Sequence, residues 1–383
     1  MTPSLKILII SNYYPPNIMG GYEVACFRMC EALRASGHRV TVITGQLSSG
    51  ATIINHDHFI LAPHHYDQQS KQQTAHINQQ NYTVISQHIN THSYDIAYIW
   101  NLKCIGVELL LPIFEKKMPI VFEYGDFWLD AYLKPYWYRV LQTVRYQKRY
   151  DLLVFEPAIS VSSWFTQALQ STYGLDNITT IENAISLIPA IQPVAIKPLR
   201  RFLFCGRIVP EKGIEIAIDT LYFLHQYNIE AYLDIVGFIE PSYLSYLSQH
   251  IESRGLTLYI HFKEPVSDTN DIYPFYQALL MPTQTQEPFG LVLIEAMQHG
   301  LICFASNGYG PKDILTHEES GILIDSSDPK LWCQSILELS DDVAKIQYMQ
   351  NTALIELHSR FNLSVKVDKT IAYFHQIMSP EIS

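Results

Sequence analysis

The chain has 383 residues, 48% of them hydrophobic and 16% charged. At about 150 residues per domain this predicts two large domains with full cores and excludes a disordered chain. The formal charge of −11, from 26 Lys and Arg against 37 Asp and Glu, excludes a broad nucleic-acid-binding face, which needs positive surface. Six cysteines are too few for a disulfide scaffold. The opening MTPSLKILIISNYYPP lacks a signal-peptide pattern, and no stretch approaches 18 consecutive apolar residues. The expected compartment is a reducing cytosol.

The run LKILIIS (5–11), followed by Pro15-Pro16 and Gly20-Gly21, predicts a buried parallel strand ending in a loop. GYEVACFRMCEALRASGH carries apolar residues at helical spacing and stops at Gly37, and RVTVITG is β-branched. Strand, loop, helix and strand in that order form a βαβ unit and imply a parallel sheet. Residues 46–94, rich in Gln, Asn and His, predict a polar, loop-rich insertion with a helix near 80–91. Strand signals resume at 95–100 and 119–124, with short candidates at 152–154 and 158–161. SSWFTQALQSTYG reads as a helix with a Ser cap and a Gly stop. Residues 186–200 hold three prolines and no helical pattern, which marks a linker between domains 1–185 and 201–363. A second α/β series follows: strands RFLFCGR, AYLDIVG, TLYIHFK, ALLMPT and LICFAS, and helices KGIEIAIDTLYFLHQY and GLVLIEAMQHG. The tail from 364 to 378 is helical. Two doubly wound α/β domains put a ligand at the carboxyl ends of the strands.

The strongest chemical signal is EPFGLVLIEAMQHG (287–300). Glu287 sits in the loop before a helix and Glu295 lies inside it. A Gly-containing loop feeding a helix offers free N–H groups and a positive dipole end, which suits phosphate. The two carboxylates flank that turn and are placed to accept hydrogen bonds from sugar hydroxyls.

This string, with GRIVPEKG (206–213) and PPNIMGGYE (15–23), resembles the retaining glycosyltransferases of family 4, which have the GT-B fold. Three separated motifs stand in the family's order, and the resemblance runs from Lys6 to the C-terminal helix. It is thinnest over 46–94. It implies two Rossmann-like domains facing across a cleft, with the last helix, 364–383, packing back toward the first domain. It implies a nucleoside-diphosphate-sugar donor, no metal or other cofactor, and a carbohydrate or lipid-linked acceptor. Arg207 and Lys212 then hold the donor diphosphate, where charge develops as the glycosidic bond breaks. Glu295 accepts the ribose hydroxyls and Glu287 the hydroxyls of the sugar. Backbone N–H groups of Phe289, Gly290 and Leu291 lie near sugar and phosphate. Gly20 and Gly21 let the N-terminal loop approach the diphosphate. The implied reaction is transfer with retention by front-face attack, the leaving phosphate taking the acceptor proton. A GT-B phosphorylase, a sugar-nucleotide epimerase and a non-catalytic partner subunit are the alternatives.

The chain departs from that pattern at two places. Many relatives carry a His-Asp pair after an N-domain strand, whereas this chain has Gly125-Asp126. Asp126 faces the anomeric centre or acceptor, or else caps the following helix; Glu123 is a further candidate. The segment NGYGPKD (307–313) replaces two adjacent glycines followed by Glu, so donor choice cannot be copied from a relative. Asn183 is read as structural. His56, Asp57, His58, His64 and His65 lack cysteine partners and read as a solvated loop. Cys26 and Cys30, one helical turn apart, read as core thiols. Lys134, Arg139, Arg145, Lys148 and Arg149 are interleaved with aromatics and no acid. That stretch is either a solvated helix face or a peripheral contact with the inner membrane face.

Overall fold

The computed structural model describes residues 3–18, 20–45, 58–61, 70–132, 153–189, 199–266, 269–325 and 327–379. The chain divides into two units, Met1–Glu182 with Leu363–Ser383, and Asn183–Asn362.

In the first unit, strands β1 (Lys6–Ser11), β2 (Arg39–Gly45), β3 (His58–Leu61), β4 (Ile96–Ile99), β5 (Ile120–Tyr124), β6 (Ala158–Ser160) and β7 (Ile178–Thr180) form one sheet. Its order is β3-β2-β1-β4-β5-β6-β7, and every neighbouring pair is parallel. Ile7 to Ile10 and Ile96 to Ile99 are completely buried, which is why β1 and β4 read as continuous apolar runs. The helices are α1 (Gly21–Ala35), α2 (Lys71–Thr91), α3 (Leu111–Glu115) and α4 (Ser163–Tyr173). In α4 the Ser162 hydroxyl accepts the Phe165 N–H at 3.1 Å, and Gly174 ends the helix at φ 65°.

Within the polar tract 46–94, the described residues hold a longer helix than the composition predicts. Its helix starts nine residues before residue 80, at Lys71. A capping box holds it: Ser70 Oγ accepts Gln73 N–H at 3.3 Å, and Gln73 Oε1 accepts Ser70 N–H at 2.8 Å. The apolar positions Ile85 and Ile89 are buried, and Asn81 Nδ2 reaches the Ile105 carbonyl at 2.9 Å. The histidines 56, 64 and 65 with Asp57, the side chain of His58, and the stretch 134–149 lie outside the described residues. So do positions 190–198 of the proline-rich segment. The expected strand at 152–154 is absent at Leu153 and Val154, which run as irregular chain.

The second unit holds β8 (Arg201–Cys205), β9 (Tyr232–Val236), β10 (Ile260–Lys263), β11 (Ala278–Met281), β12 (Ile302–Ser306) and β13 (Ile322–Ile324). Their order is β10-β9-β8-β11-β12-β13, again all parallel. The helices are α5 (Ile214–Gln226), α6 (Pro241–Ser253), α7 (Leu291–Gln298), α8 (Tyr309–Ile314), α9 (Pro329–Ser340) and α10 (Val343–Arg360). Both units are doubly wound. The chain reverses direction across each sheet between its first and fourth strands, and the strand C-terminal ends at such a switch point are where open α/β sheets bind ligands.

The last helix, α11 (Leu363–Met378), belongs to the first unit. It buries Leu363, Val367, Ile371 and Phe374, a stripe at helical spacing. Phe374 meets Tyr98 edge-on at 5.0 Å. Each such side chain contributes about 1.5–3 kcal/mol. No helix among the described residues is long and apolar enough to cross a membrane.

Candidate functional site

In the second unit the switch point falls between β8 and β11, and the two strongest sequence motifs leave those two strands. From β8 the chain passes Gly206 and Arg207 into a short turn, Pro210–Lys212, and then α5. From β11 it passes Pro282 and Glu287 to Gly290, the N-cap of α7. Gly213 joins them: at φ 72° it lies so close to the end of β11 that a Cβ would stand 2.0 Å from the Pro282 carbonyl oxygen. Gln284 N–H donates to the Glu211 carbonyl at 2.8 Å. The turn of one motif is thus fastened to the loop of the other.

This brings Lys212 and Glu287 together. The Lys212 ammonium donates to Glu287 Oε2, with 21% and 16% of the side chains exposed. Arg207 is exposed at the end of β8, with no hydrogen bond or ion pair to another described side chain. Phe289 points inward, 3% exposed, and packs edge-on against Phe361 at 5.9 Å. That leaves its backbone beside Gly290 and Leu291 at the start of α7, where first-turn N–H groups lack helical partners.

Glu295 lies within α7 and is buried, accepting the Tyr273 hydroxyl at 3.2 Å. Tyr273 stacks on His299 at 5.4 Å, and His299 Nε2 lies 2.9 Å from Asn270 Oδ1. Burial and then the neighbouring Glu295 raise the Cys205 thiol to about 12 and the Tyr273 phenol well above its ordinary value. Both are neutral at physiological pH. Tyr273 was not singled out from sequence; its only signal was an aromatic just before β11.

The NGYG loop is tied to the same place. Gly310 N–H donates to the Glu287 carbonyl at 2.8 Å. A Cβ on Gly310 would stand 2.5 Å from the backbone N and Cα of Phe289. Glycine is required there because two backbones touch.

In the first unit the corresponding switch point lies between β1 and β4. Gly20 caps α1, its N–H donating to Glu23 Oε2 at 2.8 Å, and Gly21 is the first helical residue. Asp126 bonds locally ahead of the short turn Trp128–Ala131: its Oδ1 accepts Trp128 N–H at 3.0 Å and its Oδ2 accepts Asn101 Nδ2 at 3.3 Å. Glu123 is fully buried and paired to Lys366 of α11 at 2.7 Å, with the Tyr98 hydroxyl donating to it at 2.5 Å. It is a structural carboxylate. Cys26 and Cys30 are buried core thiols, and burial raises the Cys26 thiol.

The glycine at 125 has a steric cause. A Cβ there would stand 2.1 Å from the Tyr22 ring. The Tyr22 hydroxyl bonds the carbonyls of Trp100 at 2.9 Å and Glu123 at 2.5 Å, and its ring lies 5.3 Å from that of Trp100. Tyr22 fills the space that a side chain at 125 would take. Burial, then Asp126 and Glu123, raise its phenol well above the ordinary value, so it is not a base at neutral pH. A hollow of about 620 Å³ lined by Lys6, Arg34, His38 and Arg39 lies at the opposite, N-terminal edge of this sheet.

Comparison with known proteins bears on this arrangement. Residues 19–187 match the model described as Glycosyltransferase Family 4, and residues 192–354 match Glycosyl transferases group 1. A Methanocaldococcus jannaschii protein described as an uncharacterized glycosyltransferase is 22% identical over 94% of this chain and 95% of its own length. A glycosyltransferase crystal structure from Rickettsia africae superposes with a TM-score of 0.78 at 16% identity, covering 99% of this chain and 100% of that one. Anabaena HepE, solved in complex with UDP and glucose, gives 0.70 at 19% identity, covering 97% and 99%.

Proposed function

The chain belongs to the family 4 and group 1 glycosyltransferases, with the GT-B fold, and from that premise we propose that its second unit binds a nucleoside-diphosphate sugar at the β8–β11 switch point and that the enzyme transfers the sugar with retention. One observation carries this reading: the Arg207–Lys212 turn and the Glu287–Glu295 loop leave adjacent strands and are bonded to each other through Lys212 and Glu287. Cations and carboxylates on one crevice are what a donor with an anionic diphosphate and neutral hydroxyls requires.

The roles follow from charge and depth. Buried Glu295 accepts the two ribose hydroxyls. Arg207 and Lys212 meet the diphosphate, Lys212 exchanging its carboxylate partner for phosphate oxygen and releasing Glu287 toward the sugar hydroxyls. The α7 N-terminus adds backbone donors. As the glycosidic bond breaks, negative charge grows on the leaving diphosphate, and the fixed cations stabilise it there. The leaving phosphate takes the acceptor proton. These cations supply the charge that a divalent metal supplies in other transferases, so the reaction is proposed to be metal-independent.

HepE's complexes with UDP and glucose support a uridine donor as the first to try. The acceptor is proposed to be a carbohydrate or lipid-linked carbohydrate of cell-surface polysaccharide or glycolipid synthesis, met at the cytosolic membrane face through the basic, aromatic stretch 134–149. Co-sedimentation with anionic vesicles at low salt, absent with neutral ones, is expected; indifference to anionic lipid points to a soluble acceptor.

The kinetic test uses donor turnover in EDTA. Lys212→Ala and Arg207→Ala are expected to lower kcat more than they raise KM, because the diphosphate charge develops in the transition state. Equal, small changes, or full loss of wild-type activity in chelator with rescue by Mn²⁺, contradict the reading.

A further inference from the structure

Among the described residues, Lys117, Asn228, Tyr309 and Glu318 are the non-glycines with positive φ. Three of them sit where a left-handed residue is ordinary. Lys117 and Asn228 lie one position past the C-caps of α3 and α5. Glu318 is in a tight turn closed by its N–H to the Gly321 carbonyl at 2.8 Å. Tyr309, at φ 57°, opens a helix and carries a bulky ring, a combination that sterics disfavour.

Its neighbours impose this conformation. On one side Asn307 N–H is fixed to the Ile324 carbonyl at 2.9 Å, and on the other Gly310 N–H is fixed to the Glu287 carbonyl at 2.8 Å. Gly310 cannot move toward the Glu287 loop, since its backbone already touches that of Phe289. The residue between the fixed points takes the unfavourable φ. The ring is not held there to fill the core, because Tyr309 stays 36% exposed. Strain without full burial, one residue from the carboxylate loop of a candidate site, is the signature of a functional constraint.

We infer that Tyr309 selects the sugar of the donor, its ring forming a wall of the space beside Glu287. This rests on the nucleotide-sugar reading of that loop. A pyranose presents faces rich in C–H, which pack on an aromatic ring by dispersion. A substituent projecting from the packed face is excluded by the same ring. A glycine at 309 leaves the backbone relaxed and removes the wall.

The test measures affinities for UDP, UDP-glucose, UDP-galactose and UDP-N-acetylglucosamine, and for GDP, GDP-glucose and GDP-mannose, in wild type, Tyr309→Gly and Tyr309→Phe. Wild type is expected to separate its best and worst sugars of one base by tenfold or more. Tyr309→Gly is expected to narrow that ratio below threefold while affinity for the free nucleoside diphosphate changes less than threefold. Tyr309→Phe keeps the wild-type ratio. Tyr309→Asn, which tolerates the left-handed region, serves as a second ring-free variant and is expected to behave as the glycine does. If wild type binds neither UDP nor GDP, the functional reading fails and this inference with it. If wild type binds a nucleotide but shows no sugar preference, or if the ring-free variants keep that preference, only the role of Tyr309 is overturned.

Discussion

Replacing Lys366 by Met removes one half of a buried ion pair. Lys366 Nζ lies 2.7 Å from Glu123 Oε1, and the two side chains are 3% and 0% exposed. Tyr98 donates to the other carboxylate oxygen at 2.5 Å, and the Trp100 ring centroid lies 5.7 Å from the ammonium. Without the ammonium, the carboxylate is left with a phenol and without its Lys366 counter-charge in a fully buried position. Stranding a buried charge this way costs about 3–5 kcal/mol, against a typical total stability of about 5–15 kcal/mol. Because Lys366 is on α11 and Glu123 on β5, the loss is expected to appear as release of the last helix from its sheet. Glu123→Gln in the same background keeps an acceptor for Tyr98 and removes the stranded charge, so the double variant is expected to recover about 2 kcal/mol or more relative to additivity. Urea unfolding of the four proteins gives the cycle, and amide exchange over 363–378 reports the helix directly. A Lys366→Met protein within about 1 kcal/mol of wild type, or an additive cycle, refutes the argument.

Gly125→His is expected to destabilise the first unit by about 1–3 kcal/mol, since the Tyr22 ring must leave its two carbonyl partners; combining it with Tyr22→Gly is expected to recover much of that loss. A single variant as stable as wild type in a thermal melt contradicts the steric account of the glycine. Burial, and then the stacked His92 at 4.4 Å, hold the His88 imidazole down at about 4, below its ordinary 6.5. The unfolded chain therefore binds a proton that the fold refuses, and stability contributed by neutral His88 is expected to fall as pH drops from about 6.5 toward 4. His88→Asn flattens that limb of the Tm profile; an unchanged slope assigns the acid sensitivity elsewhere.

The central strands of both parallel sheets were legible in the sequence because buried parallel strands read as unbroken apolar runs, whereas the short outer strands His58–Leu61, Ile178–Thr180 and Ile322–Ile324 went unassigned, being only three or four residues long. The α4 boundaries were legible because Ser162 and Gly174 are strong local punctuation. Residues 46–94 were read as mostly irregular because α2 is polar along much of its surface, and only its Ser70–Gln73 capping box marked the true start. The helices Pro241–Ser253, Pro329–Ser340 and Val343–Arg360 went unassigned because polar residues interrupt their apolar stripes, although local signals mark their starts: Pro241 and Pro329 at the first helical position, and Asp328 and Asp342 accepting the N–H groups of Lys330 and Lys345. In the candidate site, Glu287 and Glu295 stood out from their string, and Arg207 and Lys212 from the resemblance of GRIVPEKG to the family 4 pattern. Their fastening through Gly213 and Gly310 was not, since a backbone touching another backbone leaves no trace in one sequence beyond a glycine. Tyr22 behind Gly125, and Lys366 with Glu123, are contacts between residues 103 and 243 positions apart, and nothing local marks either partner.

The central claim is that Glu295 and the loop before it hold a nucleoside diphosphate. Calorimetric titration of wild type and Glu295→Ala with UDP and GDP, in EDTA, tests it most directly. A carboxylate accepting two ribose hydroxyls contributes about 1.5–3 kcal/mol through charged hydrogen bonds. The variant is therefore expected to stay folded and to bind its nucleotide roughly 10- to 100-fold more weakly. Equal affinity in a folded Glu295→Ala protein, or no binding of either nucleotide to wild type, contradicts the account.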